Sequence, residues 1–311
     1  MFYSKKRLAA PAILLFFLAA GLLQACQQEN KYTKIKLEEV IGHVALPDLE
    51  DSAENSAGGI KKVATVRRTR ESGSAIKPLP ADIDTELPDF SRYDDVREKK
   101  TAFFNFLRPI VRKENREVLK ERAYVLLKWQ RFRKGEELSE LEVQYLRRLA
   151  EKYRVDAGYS DGTGFFREML IHIDKIPVSL ALIQAAKESA WGTSYFARKG
   201  NNLFGQWCFQ GGCGIVPRRR PEGASYEVRK FADVSGSVRA YIRNLNSHPA
   251  YKEMRMKRYR MRLAGLQPDP HLMAGGLESY SEIGMQYVKT VRQMIRGNEK
   301  FMGIHEPAAG S

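Results

Sequence analysis

Between Ile176 and Gly192 the chain reads Ile-Pro-Val-Ser-Leu-Ala-Leu-Ile-Gln-Ala-Ala-Lys-Glu-Ser-Ala-Trp-Gly, with apolar residues around nearly the whole circumference of a helix. A helix of that kind belongs in a core. Pro177 suits its first turn and Gly192 the point just past its last. Upstream the pattern is amphipathic. Phe103, Phe104 and Leu107 share a helical face, and Pro109 is expected to end or kink that element. Val118, Leu119, Ala123, Leu126 and Leu127 form the stripe of a second helix. Ser139 and Glu142 make a capping-box pair opening a third, with Leu146, Leu149, Ala150 and Tyr153 on its inner side. The charges between these stripes read as solvated faces. Downstream, Gly214 to Phe231 alternates enough around Tyr226 and Val228 to predict a hairpin. Helical spacing returns at Val238, Tyr241, Ile242 and Leu245, and again at Tyr287, Val288, Val291 and Ile295. The predicted class is α+β, mainly α, with helices bracketing a small hairpin.

The first residues follow another logic. Lys5-Lys6-Arg7 precede an apolar run from Leu8 to Leu23, too short for a comfortable membrane span and suited to a signal peptide. The run ends in Leu23-Gln24-Ala25-Cys26, which resembles a bacterial lipobox, although Gln24 is unusual at its position. Residues 1–25 are therefore expected to be a lipoprotein signal peptide, with Cys26 the lipidated N-terminus. Gln27, where an aspartate would favour the inner membrane, points to the periplasmic side of the outer membrane. Residues 26–88 are polar, with Pro78, Pro80 and Pro88, and read as a tether. Some 60 flexible residues would reach roughly 45 Å.

Charge adds to this picture. With 52 Lys and Arg against 37 Asp and Glu, the net charge is +15. A cytoplasmic chain so basic would suggest nucleic acid, which an exported chain rarely meets; wall-peptide carboxylates and anionic lipids are the expected attractions instead. Besides Cys26, the cysteines are Cys208 and Cys213, flanking Phe209-Gln210-Gly211-Gly212, a loop that a disulfide can close in an oxidising compartment. His43, His172, His248, His271 and His305 are scattered, with none at ligand spacing from that pair, so neither metal nor cofactor is expected.

The chemistry of the core helix centres on Glu188. At the C-terminal end of a buried helix, a carboxylate meets the negative end of the helix dipole and an apolar environment, and both raise its pKa as a general acid requires. The alternative is a glutamate at the helix edge reaching water. The surrounding motifs bear on that choice: Glu188-Ser189-Ala190-Trp191-Gly192 is followed by Asn202-Leu203-Phe204-Gly205. These resemble the glucosaminidase-domain family of peptidoglycan hydrolases, whose members have a helix ending Glu-Ser-x-Trp-Gly and then an Asn-Leu-Phe-Gly loop. Gln206-Trp207-Cys208-Phe209, Gly212-Cys213-Gly214, Tyr226-Glu227-Val228 and Asn244-Leu245-Asn246 are similar to the Bax-type subgroup. The resemblance spans about Asp89 to Asn298.

It implies a lysozyme-like catalytic domain over 165–300, preceded by a helical accessory region over 89–164 and followed by a tail, 301–311. It also implies cleavage of the β-1,4 bond after N-acetylglucosamine, with Glu188 as general acid. A second carboxylate would come from the hairpin: Glu227 is preferred, Glu222 and Asp233 are the other candidates, and the substrate's acetamido group is the alternative. Tyr280 resembles the tyrosine that such domains place beside the acid. Asn202, Phe204, Gly205, Trp207 and Trp191 are expected along the sugar groove, aromatic faces stacking on sugars and amides reading acetamido groups. The expected partner is peptidoglycan, met by a monomer. Two other classes remain open: a lytic transglycosylase or muramidase cutting the opposite bond, and a wall-binding lipoprotein without activity.

Overall fold

The computed structural model of the chain describes residues 83–155 and 162–304. Cys26, the signal peptide, most of the tether and the tail from residue 305 lie outside the described residues.

Helix α1 (Val96–Arg133) opens on Asp95, whose carboxylate accepts from the backbone of Arg97 and Glu98, both at 2.8 Å. It runs unbroken for 38 residues, so the two helices expected on either side of Pro109 are one. Proline removes a backbone hydrogen bond, but the buried face continues across it: Phe103, Phe104 and Leu107 lie before, and Ile110, Val111 and Val118 after. Tertiary packing decides the matter. Behind the capping box, in which Ser139 and Glu142 satisfy one another's backbone N–H groups, follows α2 (Glu140–Tyr153). Next come α3 (Gly162–His172), α4 (Val178–Glu188), α5 (Tyr195–Gly200), α6 (Val234–Ser247), α7 (Lys252–Leu263), α8 (Pro270–Ala274) and α9 (Met285–Met302). Helices α3, α4, α6 and α9 all pack on α1. One hydrophobic core extends from Phe90 to Met302, continuous across position 164. No described helix is long and apolar enough to cross a membrane.

The expected hairpin is part of a three-stranded antiparallel sheet with β3 (Glu227–Arg229) between β1 (Trp207–Cys208) and β2 (Gly214–Ile215). Trp207 and Ile215 both lie opposite Val228, and Cys208 lies opposite Glu227. Gly214 is required by contact: a Cβ there would sit 2.1 Å from the Val228 carbonyl oxygen. Strand β1 is too short to show alternation, which is why the pattern misses it.

The turn that launches α4 is held by buried polar groups from three other helices. Asn115 of α1 donates to the Ile176 carbonyl at 2.7 Å and accepts from its N–H at 2.9 Å. Arg258 of α7, almost fully buried, donates to the carbonyls of Ile171, His172, Asp174 and Lys175 and to Asn246 of α6. Asp174, 1 % exposed, takes a bidentate pair from Arg262 at 2.8 and 2.9 Å, with Arg122 3.7 Å away. These bonds fix where α4 begins, and so where its last residue falls.

Candidate active site

Glu188 is that last residue. The chain then turns through Ala190, Trp191 and Gly192, all with φ between 50° and 78°. Left-handed backbone at two non-glycine residues costs of order 1–3 kcal/mol each and persists only where the surroundings impose it. Here Ser189 ties the turn: its hydroxyl donates to the Ala185 carbonyl at 2.6 Å and accepts from the Gly192 N–H at 2.8 Å. Trp191 anchors it from outside, edge-on to Phe103 and Phe104 of α1 at 5.8 and 5.3 Å, with the Lys100 ammonium 5.2 Å from its ring. Gly192 must lack a Cβ, which would meet the Phe90 ring at 2.6 Å. The structure thus sets the half-buried Trp191 against α1.

The Glu188 carboxyl is half-buried, and its Oε1 has no hydrogen-bond partner among the described residues. Burial raises its pKa; the Tyr287 hydroxyl beside it and the Lys187 charge act in the opposite direction without cancelling the rise. Neither Glu227 nor Glu222 is among the groups that act on it. The nearby phenol that bears most directly on the acid is Tyr287 of α9, stacked on Tyr280 at 5.3 Å. Tyr280 instead donates its hydroxyl to the Phe204 carbonyl at 3.1 Å. Sequence reasoning places Tyr287 in an aliphatic stripe and misses this contact. The available signal is a hydroxyl-bearing ring among Val288, Val291 and Ile295 on a face turned to the core.

The Asn-Leu-Phe-Gly loop is built inward. Asn202, 2 % exposed, donates to the carbonyls of Gln206 and Arg229 at 2.8 and 2.9 Å and accepts from the N–H groups of Phe204 and Gln206. Those four bonds use the amide's capacity and leave nothing to read a ligand. Phe204 is buried and stacks on Tyr241 at 3.9 Å, so it too supports the loop from beneath. Gly205, at φ 66° with open space around it, is exposed. Of the aromatic residues expected in the groove, Trp207 alone offers a free face: it is 52 % exposed and backed by Tyr226 at 4.3 Å.

Glu227 points to the opposite face of the sheet from Val228, as alternation requires, but that face is covered. Its two carboxylate oxygens accept from the N–H groups of Gly212 and Gly214 at 3.0 and 2.7 Å, and these bonds hold its pKa below the usual range. It therefore staples the loop closed by the Cys208–Cys213 disulfide and presents no free carboxylate to a substrate. Those three residues also form a cluster of potential metal donors, but the sulfurs are bonded to each other and the carboxylate is occupied. Glu222 is exposed in the loop between β2 and β3, and Asp233 caps α6 by accepting from Gly236 N–H at 2.7 Å.

A protonatable carboxyl held in apolar surroundings carries a stability cost with a definite sign. The folded pKa of Glu188 lies above its ordinary 4.5, so the cost is absent below that value, grows as pH rises through it and levels off above the folded value. Glu188→Gln removes the ionisation. Its melting temperature should match the wild type at about pH 4 and exceed it at about pH 8, as thermal melts at the two pH values would show. A variant less stable than wild type at the higher pH would contradict the buried setting.

The glucosaminidase family, described as mannosyl-glycoprotein endo-beta-N-acetylglucosaminidase, matches residues 166–300. Protein bax of Escherichia coli (strain K12) is 31 % identical over 221 residues, covering 71 % of this chain and 77 % of that protein. No solved structure matches.

Proposed function

The chain belongs to the glucosaminidase-domain family in its Bax-type form, a lysozyme-like α+β fold, and from that premise we propose that it is a peptidoglycan hydrolase cleaving the β-1,4 bond after N-acetylglucosamine. Glu188 is the general acid: it protonates the leaving oxygen while positive charge develops at the sugar carbon. The observation that carries this reading is the buried, unpartnered Glu188 Oε1 at the end of α4, in a carboxyl whose pKa burial raises. Trp207 supplies a stacking face for the glycan. With both Glu227 oxygens committed to the backbone, the acetamido group of the substrate is the stronger candidate for stabilising the developing charge. Incubation with purified sacculi should release soluble fragments with N-acetylglucosamine at their new reducing ends. Fragments ending in N-acetylmuramic acid would support the muramidase class instead, and no release would support a non-catalytic wall-binding protein.

The domain acts as a monomer at the periplasmic face of the outer membrane, tethered through a lipid on Cys26. The support for the anchor is the Ala25-Cys26 junction behind the apolar run, and for the outer membrane Gln27 in place of an aspartate. Labelled fatty acid should enter the wild-type protein and not Cys26→Ala; equal labelling of the two would refute the anchor.

A further inference from the structure

Gln184 lies one turn before Glu188 on α4 and is completely buried. Both ends of its amide are used: the oxygen accepts from the Tyr241 hydroxyl at 2.6 Å, and the nitrogen donates to the Tyr287 hydroxyl at 3.0 Å. A hydroxyl has one proton to give. Because Tyr287 receives a bond from Gln184, its own proton is left for another acceptor, and the Glu188 carboxyl lies beside it. Within that carboxyl, Oε1 is buried without a hydrogen-bond partner among the described residues.

We propose that Tyr241, Gln184 and Tyr287 form a one-way hydrogen-bond chain that orients Glu188, offering the Tyr287 proton to one carboxyl oxygen and leaving the other to carry the proton delivered to the substrate. The proposal deepens the reading of Glu188 as the acid and rests on it. The direction of the chain is set by its chemistry. Tyr241 donates to an amide oxygen, so the amide must present its N–H to Tyr287, and Tyr287 must turn its O–H away. These three are positioning residues, acting through Glu188. The groups facing the acid are Lys187 on its own helix, Tyr287 on α9, Tyr241 on α6 and Tyr280 in the turn before α9. Tyr280 and Tyr241 have committed their protons to the Phe204 carbonyl and to Gln184, which leaves Tyr287 as the phenol able to donate. When Glu188 gives up its proton, a phenol already aligned on the carboxylate stabilises the anion formed.

The test is the titration of the Glu188 carboxyl in the full chain, followed by carbon NMR with labelled glutamate and assigned by the signal that Glu188→Gln removes. Tyr287→Phe takes away the donor and should shift the titration to higher pH. Tyr241→Phe should shift it the same way: without Tyr241, the Gln184 amide can turn its oxygen toward Tyr287 and draw off the proton meant for Glu188. A merely structural Tyr241 would produce no such shift. On sacculi, the limb on which activity falls as the acid ionises should move to higher pH in both variants. Should Tyr287→Phe not fold, Tyr241→Phe carries the test alone. An unchanged Glu188 titration in folded variants overturns the chain. Because the titration needs no substrate, it is separate from the acid assignment, which falls if Glu188→Gln remains active.

Discussion

Glu188→Gln should fold and bind glycan, yet hydrolyse wall about a hundred to ten thousand times more slowly than the wild type, the usual worth of general acid catalysis. The substitution keeps the volume and shape of the side chain and removes the transferable proton. Nothing else in the site replaces it. Tyr280 is bound to the Phe204 carbonyl, and Glu227 is bound to two backbone N–H groups. A phenol in this core is also a poor acid, since burial raises the Tyr287 pKa far beyond neutrality. The release of soluble fragments over time measures the loss, with the melting curve as the control for folding. A reduction of only a few fold in a folded variant would mean that another group supplies the proton.

Asp174→Ala should cost about 3–5 kcal/mol of stability, the range for removing one partner of a buried charge pair. Its carboxylate accepts from Arg262 twice and from the Lys175 N–H, and faces Arg122, while Arg258 grips the same turn through its carbonyls. Without it, three guanidinium groups crowd together with no opposing charge, and the turn that places α4 loosens. Burial alone would raise the Asp174 pKa. The Arg262 hydrogen bonds and the charges of Arg258, Arg122 and Arg262 outweigh that and hold it below its ordinary 3.8. A depressed carboxylate contributes stability that is complete above the ordinary value and is lost as pH falls through the folded one. Wild type should therefore lose this contribution only as pH falls below the ordinary 3.8, and the gap between wild type and Asp174→Ala should narrow there. Denaturant unfolding at neutral and acid pH measures both effects; a neutral-pH loss below about 1 kcal/mol would show that the arginines find other partners.

Much of this arrangement is legible in the sequence, because the strongest signals are the longest. The apolar circumference of α4 announces a core helix, and its terminal carboxylate is the one position where burial and the helix end act together. The capping box at Ser139 is local chemistry and is found as read. Pro109 misleads for the opposite reason: its local cost is real, but packing of four helices on α1 outweighs it, and no window of sequence contains that packing. The motif residues divide in the same way. Their pattern marks the site, but not which atoms face inward. Asn202 and Phe204 brace the loop, Trp191 anchors the turn after Glu188, and Glu227 closes the disulfide loop, each satisfied by partners distant in the chain. Gln184 and Tyr287 leave the faintest trace, as lone polar groups in apolar stripes. Such a residue signals a buried partner, whose identity only the fold supplies.

The central claim is that the Glu188 carboxyl delivers the proton that breaks the bond after N-acetylglucosamine. Its most direct test is a time course on purified sacculi with wild-type protein and Glu188→Gln side by side, the fragments reduced and their terminal sugars identified by mass spectrometry. Reduced N-acetylglucosamine ends should accumulate with the wild type and remain near background with the variant. Equal accumulation with both proteins, or wild-type fragments ending in N-acetylmuramic acid, would contradict it.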